Sequence, residues 1–454
     1  MKEEPKARPH IERPEMPRLN AAQRDYVFMH LGRLIELERP HKIAELLPWP
    51  DTEWTMRTDY RVEGVPILYP APGVPETETR MYTDDGHTVH LTHDLIRSTF
   101  YLLSARQEHD IRERDKWGRF PYELSIQAEL GIEHMAVVDY YMEWMIAAIE
   151  RQCELSGIKY IKFPPMRGGA SIHLSHDVDL AHYFTFRKTR YRFAQALGLR
   201  PLGGVPRLRM WRDAFWSLLN IMHLRHDADP YWSFDEIQDE EAFLGYHSDW
   251  FFLPLDDDDQ AFPPDYDMFE DKDIQKLMAQ LFKRRHTVNL HAPIECQTPM
   301  DYRNAYAYLR SVFPQARPRV RQHFLAINPD ENYRWMDSAD IEADYSFGFS
   351  EHEGFRNSTC HSFHPYDHIG DKTLRVICLP LALMDVTCLS HRGMTYDEIF
   401  LAVEEMLDEV RRHEGIFSLL WHNSTFDESL YPGIHKFYHD LHLMFAQYQM
   451  ASFA

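Results

Sequence analysis

Two aspartates separated by one residue, Asp177 and Asp179, close an apolar run near the middle of the chain. One carboxylate of such a pair can bind a cation, while the other stays hydrogen-bonded and basic enough to take a proton from water. A divalent ion held by oxygen and imidazole ligands lowers the pKa of bound water and polarises an acyl oxygen. The pair therefore indicates metal-assisted hydrolysis.

Other polar side chains suited to this chemistry stand at or near the ends of apolar runs. They are His176, His291, Arg321, Gln322, His323, Asp344, Asp385, Trp421, His422 and Asn423. A histidine can protonate a leaving group because its unperturbed pKa lies near neutral pH. We expect His422 to be this acid, oriented by Asp385 or Asp344. Arg321 is either a buried partner of Asp177 or a surface arginine.

Short apolar runs alternate with longer helical patterns from about residue 170 onward. The candidate strands cover residues 170–175, 249–254, 287–291, 319–326, 341–345, 374–379 and 416–421, and the helical patterns include 273–285, 301–313 and 396–413. This alternation predicts a parallel β/α sheet. Because no glycine-rich turn follows the first strand, a distorted or incomplete barrel is favoured over a dinucleotide-binding sheet. In a barrel the strand ends converge on one face, which would bring the polar residues together.

The chain before this alternation has a different character. Residues 1–20 carry four prolines and many charges without apolar periodicity, which predicts a flexible segment. Residues 21–165 combine helical patterns near 26–47, 95–108 and 135–153 with an extended run at 64–69. We therefore expect an N-terminal domain, α/β or mainly helical, of unknown role. The Pro/Gly cluster at 163–169 marks its boundary with the barrel, which we place at 166–454.

Composition excludes several classes of function. The 71 acidic and 49 basic residues give a net charge of −22, which repels nucleic-acid phosphates and anionic lipid headgroups. Five cysteines without a CxxC pair indicate buried, reduced thiols. The sequence has no apolar leader and no run of about 18 apolar residues, so we expect a soluble, cytoplasmic protein without a membrane span. The aspartates at 256–259 are expected to form a solvated loop rather than a cation site.

The run Leu174-Ser175-His176-Asp177-Val178-Asp179 resembles the first motif of the polysaccharide deacetylases, the NodB-homology proteins of carbohydrate esterase family 4. The segments at 118–121, 321–324, 354–356, 384–385 and 421–423 extend the likeness to a divergent bacterial branch, over most of the chain from about residue 100. The resemblance implies a distorted barrel of seven β/α units. It also implies removal of acetyl groups from N-acetylated sugars with one divalent ion, Zn or else Co or Mn.

The resemblance implies roles for five residues by position. Asp177 matches the catalytic base, Asp179 the metal-binding aspartate, His291 the first metal histidine, Arg321 the arginine that steadies the base, and His422 the catalytic acid.

The sequence departs from the family pattern at the metal site. Val178 splits the usual adjacent aspartates, so the roles of Asp177 and Asp179 can be exchanged. Glu295 stands where a second metal histidine is usual, four residues after His291, and could ligate as an oxygen donor one helical turn on. His323, in the usual place of a proline, is the alternative third ligand and the one we favour.

Further residues are candidates for substrate contact. Trp421 and Asn423 flank His422, and His176 either contacts substrate or caps its strand. Arg356 lies in a loop rich in histidine and aromatic residues, at 352–368. Either the aromatic rings stack on a sugar face and Arg356 binds a carboxylate or phosphate, or the loop is simply packed.

We therefore expect hydrolysis of an N- or O-acetyl group on a glycan or glycan precursor. Two alternatives remain. One is a catalytically degenerate carbohydrate-binding or polysaccharide-assembly protein, which the broken metal motif motivates. The other is a hydrolase of non-sugar C–N amide bonds.

Overall fold

The computed structural model describes residues 11, 13–38, 42–48, 54–164, 169–183, 190, 193–194, 196–199, 211–212, 214–218, 229–255, 260–448 and 451–452. Three predicted features lie wholly or partly outside the described residues. They are the aspartate run at 256–259, residues 1–10 and 12 of the segment predicted to be flexible, and residues 165–168 of the predicted domain boundary.

The chain before the barrel folds into helices and two-stranded sheets. Its strands are β1 (Ile35–Leu37), β2 (Arg61–Val62), β3 (Val65–Pro66), β4 (Tyr82–Asp84), β5 (Val89–Leu91) and β6 (Tyr160–Lys162). Its helices are α1 (Ala21–Leu31), α2 (Ile43–Leu46), α3 (Leu95–Leu103), α4 (Arg106–Asp110), α5 (Ile126–Leu130) and α6 (Val137–Ser156). The continuous helix predicted over 26–47 is wrong, because β1 follows α1 and pairs with β6, Ile35 opposite Lys162. Local periodicity does not reveal such a distant pairing.

The helix predicted over 135–153 is confirmed as α6. Its apolar side chains recur at spacings of three and four residues, which places Val138, Met142, Met145 and Ile149 on the buried side, against α3. Gly157 ends the helix with a φ of 67°, a left-handed conformation that glycine adopts without a steric penalty.

One parallel sheet of nine strands carries the rest of the chain. The remaining strands are β7 (Ser171–Val178), β8 (Ser248–Phe252), β9 (Thr287–Ala292), β10 (Arg319–Gln322), β11 (Ala343–Asp344), β12 (Tyr366–Asp367), β13 (Lys372–Thr373), β14 (Ile377–Cys378), β15 (Leu383–Met384), β16 (Ile416–Leu420) and β17 (Ala451–Ser452). Nine of these strands form the parallel sheet, in the order β14-β11-β10-β9-β8-β7-β16-β15 with β17 beside β7. The other two, β12 and β13, form a separate antiparallel pair. All seven predicted strands lie in the nine-stranded sheet, and β15 and β17 are additions to the prediction.

The sheet curls on itself. Phe251, Tyr345, Leu379 and Ile416 form one buried cluster. Leu379 follows β14, and Ile416 begins β16 near the opposite end of the strand order. Side chains from distant strands can meet only if the sheet closes towards a barrel. The fold is therefore α/β, a distorted β/α barrel preceded by the N-terminal helices and strands.

Helices alternate with the strands of the sheet. Those in the described residues are α7 (Phe234–Phe243), α8 (Lys272–Lys283), α9 (Pro299–Val312), α10 (Asn332–Ser338), α11 (Tyr396–Arg412) and α12 (Ile434–Gln447). Local sequence sets several starts: the Asp271 carboxylate accepts the N–H groups of Asp273 and Ile274 at the start of α8, and Thr395 opens α11 with a capping box. Among the described helices, none combines the length and apolar character of a membrane span.

A buried ion pair joins the N-terminal part to the barrel. Arg356 donates to both carboxylate oxygens of Glu108 at 2.6 and 2.8 Å and to the carbonyl oxygen of Gly348 at 2.9 Å. The guanidinium also lies over the Phe347 ring, 4.5 Å from its centroid. Arg356 is only 2% exposed, so the structure does not bring it to a surface where it could contact a sugar.

Gly354 has a packing role in the same junction. Its φ is 122°, and a Cβ there would lie 2.4 Å from the carbonyl oxygen of Glu133. The backbone N–H of Phe355 donates to that oxygen at 2.7 Å. The Gly-Phe-Arg segment therefore joins the two parts of the chain.

We expect Glu108→Gln to lower the free energy of unfolding by about 3–5 kcal/mol, because it leaves the Arg356 charge buried without a carboxylate. Urea unfolding followed by tryptophan fluorescence measures the loss. A double variant, Glu108→Leu with Arg356→Met, should lose less than the single one. The exposed pair Arg57–Asp59 provides the control, and Asp59→Asn should leave the unfolding midpoint unchanged.

Candidate metal and acid–base site

The site residues lie at the carboxyl ends of parallel strands. Asp177 is near the end of β7 and Asp179 directly follows it, His291 is near the end of β9, and His323 directly follows β10. Asp385 directly follows β15, and His422 comes two residues after β16. This is the face of a β/α barrel on which loops converge.

Asp179 faces three imidazole rings. Its carboxylate oxygens lie 2.9 Å from Nε2 of His291, 3.8 Å from Nε2 of His323 and 3.7 Å from Nε2 of His422. Burial works against the charged carboxylate, but the three histidines outweigh it and hold the pKa of Asp179 well below its usual range. One negative charge therefore organises the centre of the site.

His291 and His323 each present Nε2 to this carboxylate. Nδ1 of His291 donates to the carbonyl oxygen of Arg321 at 2.9 Å, which leaves Nε2 free to point at Asp179. Burial lowers the pKa of His323 to about 4, so its ring is neutral at pH 7 and keeps a lone pair. Its neighbours Phe324 and Leu325 have φ values of 60° and 52°, and such left-handed conformations cost about 1–3 kcal/mol each.

These three residues fit a divalent metal ion. Ligand atoms of Asp179, His291 and His323 all lie within 4.8 Å of one another. One carboxylate with two imidazoles is a ligand set that zinc hydrolases use. Oδ1 of Asp179 is buried and lies 2.9 Å from Nε2 of His291, so two atoms that can both ligate a cation face each other. The donor set and this close approach both suit a cation.

Asp177 lies beside this group and is held by the buried Arg321. Nη1 of Arg321 is 3.6 Å from Oδ1 of Asp177, and Nη2 donates to the hydroxyl of Ser175 at 2.8 Å. The other Asp177 oxygen is 3.7 Å from Nε2 of His291. Arg321 is fully buried, so it is the interior partner of Asp177 rather than a surface arginine.

His422 is oriented by Asp385. Nδ1 of His422 donates to Oδ1 of Asp385 at 2.7 Å, and the backbone N–H of His422 and the hydroxyl of Thr425 both donate to Oδ2. Burial opposes the charged imidazole, but Asp385, with help from Asp179 and Asp177, raises the pKa of His422 to about 10. Asp344, the alternative partner, instead accepts from Ser346 and Tyr333.

Glu295 lies outside the group of candidate ligands. It is exposed, and its carboxylate accepts the backbone N–H of Ala261 at 3.0 Å. The prediction placed it one helical turn after His291, but no helix follows β9 until Pro299, so the four-residue spacing does not return the side chain to the same face.

The structure does not bring His176, Trp421 or Asn423 to a substrate surface. His176 is buried between the Trp421 carbonyl and the Glu241 carboxylate, both at 2.7 Å. Trp421 packs among the rings of Tyr438 and Phe437 at 5.3 and 6.0 Å. The side-chain amide of Asn423 donates to the carbonyl oxygens of Leu180 and Tyr231. All three residues hold the strand ends in place.

Sequence reasoning missed two supporting residues. Ser175 bonds Arg321, and its place two residues before Asp177 on the same face of β7 is a signal that could have identified it. Glu241 on α7 accepts hydrogen bonds from His176 and Ser248, and nothing in its local sequence indicates this contact.

A second group, Asp139, Cys360 and His361, also places possible ligand atoms within 4.8 Å. The carboxylate of Asp139, however, accepts hydrogen bonds from Thr359 and from the backbone and thiol of Cys360. Burial, and then the Asp139 charge, raise the pKa of the Cys360 thiol, which keeps it protonated and a poor ligand. This group therefore stabilises the junction between the two parts of the chain.

Comparisons with known proteins add little to the geometry. Residues 41–154 match a family described as one of unknown function (DUF7033). No curated protein matches the chain. A solved structure of a candidate polysaccharide deacetylase from Mycobacterium smegmatis is 11% identical, with 65% of this chain and 96% of that chain covered and a TM-score of 0.38. This TM-score is too low to establish the fold, which rests on the strand order and register of the sheet.

We expect Asp179→Ala, His291→Ala and His323→Ala each to abolish stoichiometric binding of zinc, because each removes one of three candidate ligands. Glu295→Ala is the matched control and should retain about one ion per chain. Elemental analysis after zinc loading and dialysis measures the metal content. Loss of the ion from the Glu295 variant with retention in the His323 variant would reverse the choice of third ligand.

Proposed function

We propose that this chain is a metal-dependent hydrolase that removes an acetyl group from an N- or O-acetylated sugar or glycan precursor. The observation that carries the proposal is the arrangement around Asp179. Two candidate ligands, His291 and His323, have ring nitrogens within reach of its carboxylate. The potential acid His422 lies 3.7 Å from the same carboxylate, and the potential base Asp177 lies 3.7 Å from Nε2 of His291.

Asp177 is suited to accept a proton from water. A divalent ion bound by Asp179, His291 and His323 would polarise the acyl oxygen and lower the pKa of a water molecule. Oδ1 of Asp177 has no hydrogen-bond donor within bonding distance among the described residues and so has a lone pair available. The nearby Arg321 charge keeps the carboxylate oriented while it works as a base.

His422 is suited to give a proton to the leaving nitrogen or oxygen. Asp385 accepts a hydrogen bond from Nδ1, so that Nε2 faces the site, and its negative charge favours the protonated imidazole. The departing sugar amine or hydroxyl would take the proton from Nε2, which separates it from the acetate product.

We expect Asp177→Asn and His422→Ala to lower kcat for acetate release by about 10²–10⁴-fold, because each removes one proton-transfer group. The protein is loaded with zinc or cobalt and assayed on N-acetylchitooligosaccharides and nucleotide N-acetyl sugars. Both variants should retain the metal ion.

His439→Ala is the control for this experiment, since His439 lies on α12 and pairs with Glu240 away from the site. It should have wild-type activity. If the Asp177 variant loses the metal ion, the roles of the two aspartates are exchanged. No acetate release from any of these substrates by the metal-loaded wild type would contradict the proposed activity.

A further inference from the structure

A cavity of 790 Å³ lies between the N-terminal part of the chain and the barrel loops that follow β9 and β10. Its lining includes Trp117 from the N-terminal part and Phe262, Glu295, Asn328 and Trp335 from the barrel. Ligand pockets typically measure about 300–1,000 Å³. The cavity is therefore large enough for a ligand of several rings.

Stacked aromatic rings connect this cavity to the candidate metal ligands. The rings of His323 and Phe324 stack with centroids 4.0 Å apart, and Phe324 stacks in turn on Trp117 at 4.8 Å. Phe262 meets both Phe324 and Trp117 edge-on, at 5.0 and 5.2 Å. Phe262 is 42% exposed and open to a ligand, and the Nζ of the exposed Lys116 lies 4.8 Å from the centroid of the Trp117 ring.

A rigid loop presents Trp117. The Asp115 carboxylate accepts the backbone N–H groups of Trp117 and Arg119 at 2.8 and 2.9 Å and the Nε–H of Arg119 at 2.8 Å. Arg119 also donates to the carbonyl oxygen of Phe324 at 2.9 Å. The tryptophan is thus tied to the same turn that carries His323, and a ligand need not order it.

The charges at the cavity favour a neutral ligand. The guanidinium of Arg114 is occupied by the carbonyl oxygens of Glu108, Ile111 and Glu113. Glu295 and Glu331 are exposed carboxylates in the lining and Lys116 is an exposed cation there, so the lining carries charges of both signs. Aromatic faces with nearby carboxylate and amide groups suit a sugar ring, which has an apolar face and hydroxyl donors at its edge.

We propose that Trp117 and Phe262 form a subsite for a neutral saccharide unit adjacent to the unit that reacts, so that the substrate is an oligosaccharide rather than a single sugar. This inference rests on the proposed function, and it gives the region matching the family of unknown function a direct part in substrate binding. Trp117 and Phe262 are binding residues that do not take part in proton transfer.

Calorimetric titration of the zinc-loaded full chain with N-acetylchitotetraose and with N-acetylglucosamine tests the subsite. We expect Trp117→Ala to weaken tetrasaccharide binding about tenfold, the loss of one aromatic stacking contact. Phe262→Ala should act in the same direction, and Trp117→Phe should restore most of the affinity. Monosaccharide binding should be the same in the wild type and all three variants.

Phe282→Ala is the matched control, because Phe282 is an exposed aromatic residue on the outer helix α8. It should bind the tetrasaccharide as the wild type does. Wild-type affinity in both the Trp117→Ala and Phe262→Ala variants, or a wild type that binds the tetrasaccharide no better than the monosaccharide, would overturn the subsite.

The binding readout separates this inference from the proposed activity. Tryptophan-dependent tetrasaccharide binding without acetate release supports the subsite and contradicts the hydrolase. Acetate release with an unchanged KM for the tetrasaccharide in Trp117→Ala supports the hydrolase and overturns the subsite. Unchanged zinc content in the variants shows that His323 has kept its place.

Discussion

The whole site depends on one carboxylate with three imidazole neighbours. Asp179 lies within 3.8 Å of Nε2 of His291, His323 and His422, which come from three different strand ends. A negative charge at the edge of a protein interior is stable only with partners that offset its lost hydration. The histidines supply that compensation, and a cation shared with two of them would supply more.

The register of the paired strands determines which side chains lie close to one another in the site. In the pairing of β9 with β10, His291 stands opposite Arg321. That register lets the backbone carbonyl of Arg321 hold Nδ1 of His291 while the Arg321 side chain reaches Asp177 and Ser175 on β7, three strands away. A shift by one residue would turn both side chains to the other face of the sheet. The register of the parallel strands from β7 to β10 is therefore as necessary to the arrangement as the candidate ligands themselves.

The sequence could predict the strands and the meeting of polar residues around Asp179, because polar residues at the end of apolar runs have few structural reasons to be there. The roles of these residues stay predictions. The structure does not bring the residues next to them in sequence to the site, because successive side chains of a strand point to opposite faces. His176 precedes Asp177 and points to α7, where Glu241 binds it, while Trp421 precedes His422 and packs on α12. A strand residue that is adjacent in sequence to a site residue is therefore expected to point to the face of the sheet away from the site. Glu295 lies apart from the candidate ligands for a related reason. A spacing of four residues returns a side chain to the same face only in a helix, and the segment that follows β9 is not helical.

The contribution of the N-terminal part could not be predicted, because it consists of contacts between residues more than 200 positions apart. Glu108 with Arg356, and Arg119 with Phe324, join that part to two separate barrel loops. The first contact is a buried charge pair, which fixes the relative position of the two parts because neither charge tolerates the loss of the other. The second acts on the turn that carries His323. Since the turn holds two strained residues, its conformation needs support from outside the barrel, and the N-terminal loop gives that support through Arg119 and the Trp117 ring. The N-terminal part is therefore better understood as a structural component of the site than as an independent module.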